Sequence, residues 1–381
     1  MKIFKIVLSV IFGIICVALA LISLATIIPS ILFLGSFANI ISISFAHIVL
    51  PVVGAFWVLS IILLRFNKPI FIFALVCLSF YVVISGVTLN DSIKAFKKEG
   101  VNVSFFKSYV RENVKDVKVD SYVYDSVYPN STLDVYGKEN TSKPVIMYVH
   151  GGGWISGAKT DHAYRSKLLA KNGYLVISVD YELSNKEKHL CQTTETQILK
   201  AISWVQDNAS ELNADVDRFY MIGDSAGGNL ILDVSYKINS GVYFEVDGKT
   251  LPKIKKVCAL YPVVDPVDFW GYNDRITGKA VKNMCEYYFG GTPLEVPELY
   301  SNATPLNYIS ATCPNTLIIV GENDSTVPSR QSLSLAEKLS EKSVENKLII
   351  VPYANHAFDF DGTFGDQGVN DSVKKWFSES N

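Results

Sequence analysis

Gly223-Asp224-Ser225-Ala226-Gly227-Gly228-Asn229 is the stretch that decides the fold. It follows the apolar run Phe219-Tyr220-Met221-Ile222 and opens a helix-like pattern over Ala226–Ile238. A serine at such a strand-to-helix turn has a strained backbone, and side chains two positions either side of it would collide. Gly223 and Gly227 remove them. A helix beginning at Ala226 aims its first N–H groups, and the positive end of its dipole, at any negative charge that develops beside Ser225. A hydroxyl is a weak nucleophile at neutral pH, so the arrangement also demands a base close by.

His150-Gly151-Gly152-Gly153-Trp154 fits the first stretch as its complement. Oxyanion stabilisation needs backbone donors fixed about 2.7–3.1 Å from the anion. Consecutive glycines present N–H groups without filling the space with side chains. The predicted oxyanion hole is Gly151, Gly152, Gly153 and Ala226, with Gly152, Gly153 and Ala226 as the donors and Gly151 shaping the turn. His150, inside the loop, reads as a structural hydrogen-bonding residue, and Trp154 is expected beside the acyl pocket. A nucleophile and a separately encoded oxyanion site together define one reaction class, acyl transfer.

Outward from these two stretches, short apolar runs recur at Pro144–Val149, Tyr174–Val179, Phe219–Ile222, Lys256–Tyr261, Asn315–Val320 and Lys347–Val351. Helix-length segments separate them: Lys159–Asn172, Thr194–Ala209, Ala226–Ile238, Pro328–Ser340 and Gln367–Ser378. Such alternation predicts an α/β fold with a mostly parallel sheet flanked by helices, whose reactive groups gather beyond the carboxyl ends of the strands. His150, Ser225, Asp324 and His356 each follow an apolar run at that end. The Tyr- and Gly-rich stretch 269–309 breaks the rhythm and is expected to be a cap insertion.

The base comes by elimination. Of the five histidines only His356 follows Ser225, and chain order in this architecture is Ser, then Asp or Glu, then His. Asp324, after the run Thr316–Gly321, is the expected orienting carboxylate. Glu322 and Asp359 are its rivals. Glu322 stands very near the strand end, and Asp359, three residues past His356, would more naturally brace the loop. The predicted catalytic set is Ser225, Asp324 and His356.

From about Tyr122 onward the chain resembles the hormone-sensitive-lipase-like carboxylesterases of the α/β-hydrolase fold, and within them the bacterial acetyl-esterase and lipase branch. Leu133-Asp134-Val135-Tyr136, His150–Trp154, Gly223–Asn229, Asp324-Ser325-Thr326-Val327-Pro328 and Asn355-His356-Ala357-Phe358 carry the resemblance. It implies hydrolysis of carboxyl esters, often short-chained, with no metal and no organic cofactor. Two departures concern the pocket wall more than the catalytic set. Tyr181–Leu190 lacks the family's Arg-Leu-Ala-Pro-Glu run, and Gln197 stands where an aspartate is frequent, seven residues before Trp204. The same machinery could pass the acyl group to a sugar or lipid acceptor. A non-catalytic scaffold or adhesion domain is the reading from another class, but such a domain would be expected to have lost the serine, the histidine or a loop glycine.

Before that region the composition changes. No Lys, Arg, Asp or Glu occurs from Ile6 to Leu64, and a second uncharged run covers Pro69–Asn90. A membrane-spanning helix needs about 20 apolar residues, so residues 4–88 are expected to cross a lipid bilayer three times: about Phe4–Ile28, Ser42–Leu64 and Pro69–Thr88, with a short connection at Pro29–Ile41. The first stretch is too long for a secretory signal, whose apolar region runs to about 7–15 residues. The expected division is 1–90 transmembrane, 91–116 juxtamembrane linker and 117–381 catalytic domain. Lys2, Lys5, Arg65 and Lys68 lie on one side, which the positive-inside rule makes cytoplasmic. The catalytic domain of this multi-pass membrane protein is then extracytoplasmic. Lys94, Lys97, Lys98 and Lys107 oppose that orientation. A net charge of −2 gives no concentrated basic surface for nucleic acid, and oligomeric state is left open.

Overall fold

Strands buried on both faces read as continuous apolar runs, and the runs above become the centre of one sheet. The computed structural model describes residues 2–28, 38–243, 245–274 and 277–379. Eight strands form the sheet: β1 Val119–Val123, β2 Thr132–Tyr136, β3 Lys143–Val149, β4 Leu175–Val179, β5 Ala214–Asp224, β6 Ile254–Leu260, β7 Asn315–Gly321 and β8 Asn346–Val351. Their spatial order is β1-β2-β4-β3-β5-β6-β7-β8. β1 and β2 pair antiparallel, as do β2 and β4. From β4 through β3, β5 and β6 to β7 the pairing is parallel. This is the expected α/β-hydrolase architecture, with β5 near the middle.

Among the described residues, three long α-helices precede the sheet: α1 Lys2–Ile27, α2 Ala46–Leu63 and α3 Lys68–Lys98. All three are long and apolar enough to cross a membrane. A π-helical turn, Ile40–Ser44, leads into α2. Residues 29–37 of the expected connection lie outside the described residues. α3 does not end with its apolar run. Its 31 residues give about 46 Å at 1.5 Å per residue, more than the roughly 30 Å hydrocarbon core, and its last turn carries Lys97 and Lys98. Asp91–Lys98, within the expected juxtamembrane linker, continues this helix.

The later helices are α4 Ala163–Lys171, α5 Cys191–Asp207, α6 Ala226–Ser240, α7 Gly278–Phe289, α8 Arg330–Glu341 and α9 Phe364–Ser378. α4 starts later than its pattern suggests because Lys159 is used elsewhere. Its N–H donates to Asp180 at 2.6 Å and its ammonium lies 3.1 Å from Asp134. Residues 269–309 are mostly helical: the short helix Pro266–Gly271 runs into them, and α7 and Pro297–Asn302 follow.

The chain divides into two compact units. One comprises Met1–Arg111, Gly321–Asp324 and Ile350–Ser372; the other comprises Glu112–Val320, Ser325–Ile349 and Val373–Asn381. The first has a core of Phe12, Cys16, Val53, Phe71, Ala74, Leu78 and Tyr81 among the apolar helices. The second buries the central strands and the inner faces of α5 and α6. A division by composition alone misses that Gly321–Asp324 and Ile350–Ser372, 200 residues and more from the helices in sequence, cluster with them.

Candidate active site

Ser225 occupies the turn between β5 and α6 at φ 52°, ψ −116°. A non-glycine residue held there is strained, and it persists only because its surroundings over-determine it. Its N–H donates to the carbonyl of Leu260 at the end of β6 (2.8 Å), and its carbonyl accepts from Asn229 N–H (3.0 Å). The glycines around it are required by contact. A Cβ on Gly223 would stand 2.5 Å from the carbonyl oxygen of Gly227, and one on Gly227 would stand 2.1 Å from that of Val149.

The second of those contacts is with the end of β3, where the glycine loop begins, so loop and elbow are packed backbone to backbone. Gly152 and Gly153 have φ +107° and +61°. Their N–H groups donate to no protein acceptor among the described residues, and Ala226 opens α6 with an N–H that has no intrahelical partner. Gly151 is different. Its N–H is held by the Asp224 carboxylate at 3.1 Å, so it is not available to an oxyanion. Gly151, expected to shape the turn of the hole and not to donate, fastens the loop to the elbow. A Cβ there would meet Asp224 Oδ2 at 2.4 Å.

Asp224 is the residue the sequence reading passed over. Buried under the turn, it also accepts from Tyr148 Oη (3.1 Å), which in turn accepts from Arg165 (3.2 Å), and His162 lies 3.6 Å away. Burial, the largest influence, pushes its carboxyl up; the charge and hydrogen bond of His162, with His150 and Arg165, outweigh it and leave the carboxyl below its ordinary range. Asp224 fills the variable place of the Gly-x-Ser-x-Gly pattern, so the motif itself gave no signal. His150 Nδ1 lies 2.8 Å from the Gly151 carbonyl, and its ring stacks on Tyr181 at 4.3 Å between centroids. That is a structural role in the loop.

Residues from 269 onward line the loop's other side. Trp154 is fully buried, stacked on Tyr288 at 4.5 Å and flanked by Phe269 and Phe289. Met284 of α7 reaches Gly153, where a Cβ would stand 2.5 Å from its sulfur. Gln197, at the position where the family often has aspartate, is completely buried. Its amide oxygen accepts from Glu182 N–H and its NH₂ donates to Ser131, both at 2.9 Å. A neutral amide can satisfy a donor and an acceptor at once, which a carboxylate cannot.

In the other unit, His356 Nδ1 lies 2.7 Å from Asp324 Oδ2, and the Asp324 side chain is fully buried. The Asp324 turn and the His356 loop follow β7 and β8. The rival Glu322 is engaged elsewhere, accepting from Tyr353 N–H at 3.1 Å. The His356 N–H donates to Asn355 Oδ1 at 2.7 Å. Nδ1 is thus the ring nitrogen that Asp324 orients.

Comparison with known proteins gives the family and the fold. Residues 133–339, more than half of the chain, match the BD-FAE family. The chain is 25% identical to esterase LipC of Mycobacterium tuberculosis over 240 residues, 61% of this chain and 58% of LipC. It therefore spans little more than half the length of that relative. Among solved structures it is similar to esterase B of Lactobacillus rhamnosis (TM-score 0.56, 22% identity, 72% of this chain and 88% of that one). It is also similar to esterase LipW of Mycobacterium marinum (TM-score 0.55, 23% identity, 77% and 90%). At these identities the structural likenesses carry the fold. The family match carries the rest, and the chain belongs to the BD-FAE family, built on the α/β-hydrolase fold.

Proposed function

We propose that this protein is a membrane-anchored serine carboxylesterase in which Ser225, His356 and Asp324 act as one triad. The observation that carries the reading is the strained Ser225 at the head of α6, facing a glycine loop with two undonated N–H groups. Sheet topology supports the rest: Ser225, Asp324 and His356 follow β5, β7 and β8, and β6 alone stands between β5 and β7. In the proposed cycle His356 Nε2 takes the Ser225 proton as Oγ attacks the ester carbonyl. Asp324 steadies the imidazolium through Nδ1. Gly152, Gly153 and Ala226 N–H groups hold the oxyanion. His356 then protonates the leaving alcohol, and water repeats the cycle on the acyl-enzyme.

Short acyl chains fit best, because Met284 and the buried Trp154–Tyr288 stack occupy the space beside the loop. Exposed Ile6, Ile14 and Val76 on α1 and α3, each more than half accessible, support burial of these helices in lipid. Lys2, Lys5, Arg65 and Lys68 put the connecting turn in the cytoplasm and the hydrolase outside. The test is Ser225→Ala in the full chain in detergent, assayed on p-nitrophenyl acetate. Turnover should fall by about 10³ or more. Wild-type turnover in that variant would refute the proposal.

A further inference from the structure

The loop that carries His356 is gripped by the apolar helices at both of its ends. Ser44, closing the π-helical turn, donates its hydroxyl to the Phe358 carbonyl at 2.8 Å, across 314 positions of sequence. Ser92, on α3, lies 3.2 Å from the Pro352 carbonyl, and its single proton is shared with its own helix at Thr88 (3.0 Å). Both serines are fully buried. These carbonyls bracket His356, four residues before it and two after. Between them the backbone enters the left-handed region twice at non-glycine residues, Tyr353 (φ 59°) and Ala357 (φ 53°). Such conformations are costly and last only where the surroundings over-determine them. Beyond the loop the grip continues: Phe45 stacks on Phe360 at 6.1 Å, and Phe96 presses on Gly368, where a Cβ would stand 2.4 Å from its ring.

Serines of α1 and α2 differ from Ser44. Ser23 and Ser60 donate to Leu19 and Phe56 one turn back in their own helices, as serines in apolar helices commonly do. Ser44 instead donates to a distant loop, and Ser92 divides its hydroxyl between its own helix and that loop. We propose that Ser44 and Ser92 are positioning residues that hold the His356 loop in its strained form, which makes the apolar helices part of the catalytic apparatus and not only its anchor. The inference rests on the serine-esterase reading given above.

The test uses the full chain in lipid nanodiscs, with kcat expressed per Ser225 site titrated by a fluorophosphonate, so that unfolded protein does not count. Ser44→Ala with Ser92→Ala should lower kcat about 10- to 100-fold, the range expected from displacing a reacting group by an ångström or so. KM should stay within about twofold, because the hydroxyls touch no substrate. Ser44→Thr, which keeps a hydroxyl, should restore most of the kcat lost in Ser44→Ala. Ser60→Ala should match the parent. A double variant with parental kcat, while Ser225→Ala is inactive, overturns the inference and leaves the esterase reading standing. So does a Ser44→Thr as slow as Ser44→Ala, since loss through packing alone would not distinguish them. Activity retained by Ser225→Ala would remove both readings together.

Discussion

Replacing Gly152 by alanine should disable the oxyanion site, and replacing Gly153 should injure it far less. The two glycines are adjacent and both have positive φ, so a simple appeal to glycine would predict equal harm. Their surroundings differ. At Gly152, φ is +107° and a Cβ would stand 2.1 Å from the Ser156 carbonyl oxygen and 2.6 Å from its carbon. That obstacle is backbone, itself bonded to the loop: the Gly152 carbonyl accepts from Ile155 and Ser156 N–H groups at 3.2 and 3.1 Å. At Gly153, φ is +61°, close to the left-handed well that other residues occasionally enter, and the obstacle is the Met284 sulfur at 2.5 Å. A methionine side chain can rotate away.

The backbone term at Gly152 is about 1–3 kcal/mol, and relief of the overlap requires the loop to shift by much of an ångström. Loss of one oxyanion donor costs about 10²–10³ in kcat, or roughly 2.7–4 kcal/mol of transition-state stabilisation. Gly152→Ala should therefore lower kcat by about 10²–10³ with KM changed little, while Gly153→Ala should lose less than about tenfold. Steady-state hydrolysis of p-nitrophenyl acetate by the full chain, beside a thermal melt of each variant, separates catalysis from folding. A folded Gly152→Ala variant with parental kcat would refute the assignment of this loop as the oxyanion site. Equal losses in the two variants would refute the reasoning from contacts.

Two further outcomes follow from buried polar groups. Gln197→Leu should destabilise the protein by about 2–6 kcal/mol, seen in thermal or urea unfolding, because it strands the buried Glu182 N–H and the Ser131 hydroxyl at roughly 1–3 kcal/mol each. Asp224 gives a pH dependence whose sign is set by its lowered carboxyl. Its stabilising contribution is complete above the unfolded value of about 3.9 and is lost as pH falls through the lower folded value. Acid should therefore release the Gly151 N–H and loosen the glycine loop. Melting temperatures measured from pH 3 to 6 should fall toward the acid end, and Asp224→Asn should flatten that dependence.

The elbow and the glycine loop were legible because their demands are local. Close backbone approach at Gly223, Gly227 and Gly152 permits no other residue, and the strand and helix patterns either side fix the context. The fold class, a mostly parallel sheet flanked by helices, followed from the same alternation. What was hidden depends on contacts between distant positions. Gly151 read as a turn-former in the oxyanion loop, but nothing in a run of glycines says that its N–H is fastened to Asp224. Asp233 and Lys237, four apart on α6, have the spacing of an exposed helix pair, yet they meet at 2.7 Å with both side chains buried and Glu195 2.6 Å from the same ammonium. Burial on that face is decided by what packs over it. Likewise no periodicity ties Ser44 to Phe358. The charge-free run announced helices, but not that a segment beginning at Ile350 would cluster with them.

Backbone strain offers a line of reasoning that owes nothing to motifs. Among the described residues, eight non-glycine positions have positive φ. Asn213 and Asp247 are of the types that enter this region at little cost. Of the remaining six, Trp154, Ser225, Tyr353 and Ala357 are either a proposed reacting residue, the neighbour of a proposed donor, or within three positions of His356. Tyr261 follows the carboxyl end of β6, the edge on which β5 delivers Ser225. Strain that serves only folding would have no reason to collect there, since any loop can relax it by substituting glycine. Its collection around a serine, a glycine loop and a histidine that were selected on other grounds argues that these segments are held for chemistry. It also argues that the groups holding them, Asp224 beneath the elbow and Ser44 beside the histidine loop, matter to the rate as well as to the fold.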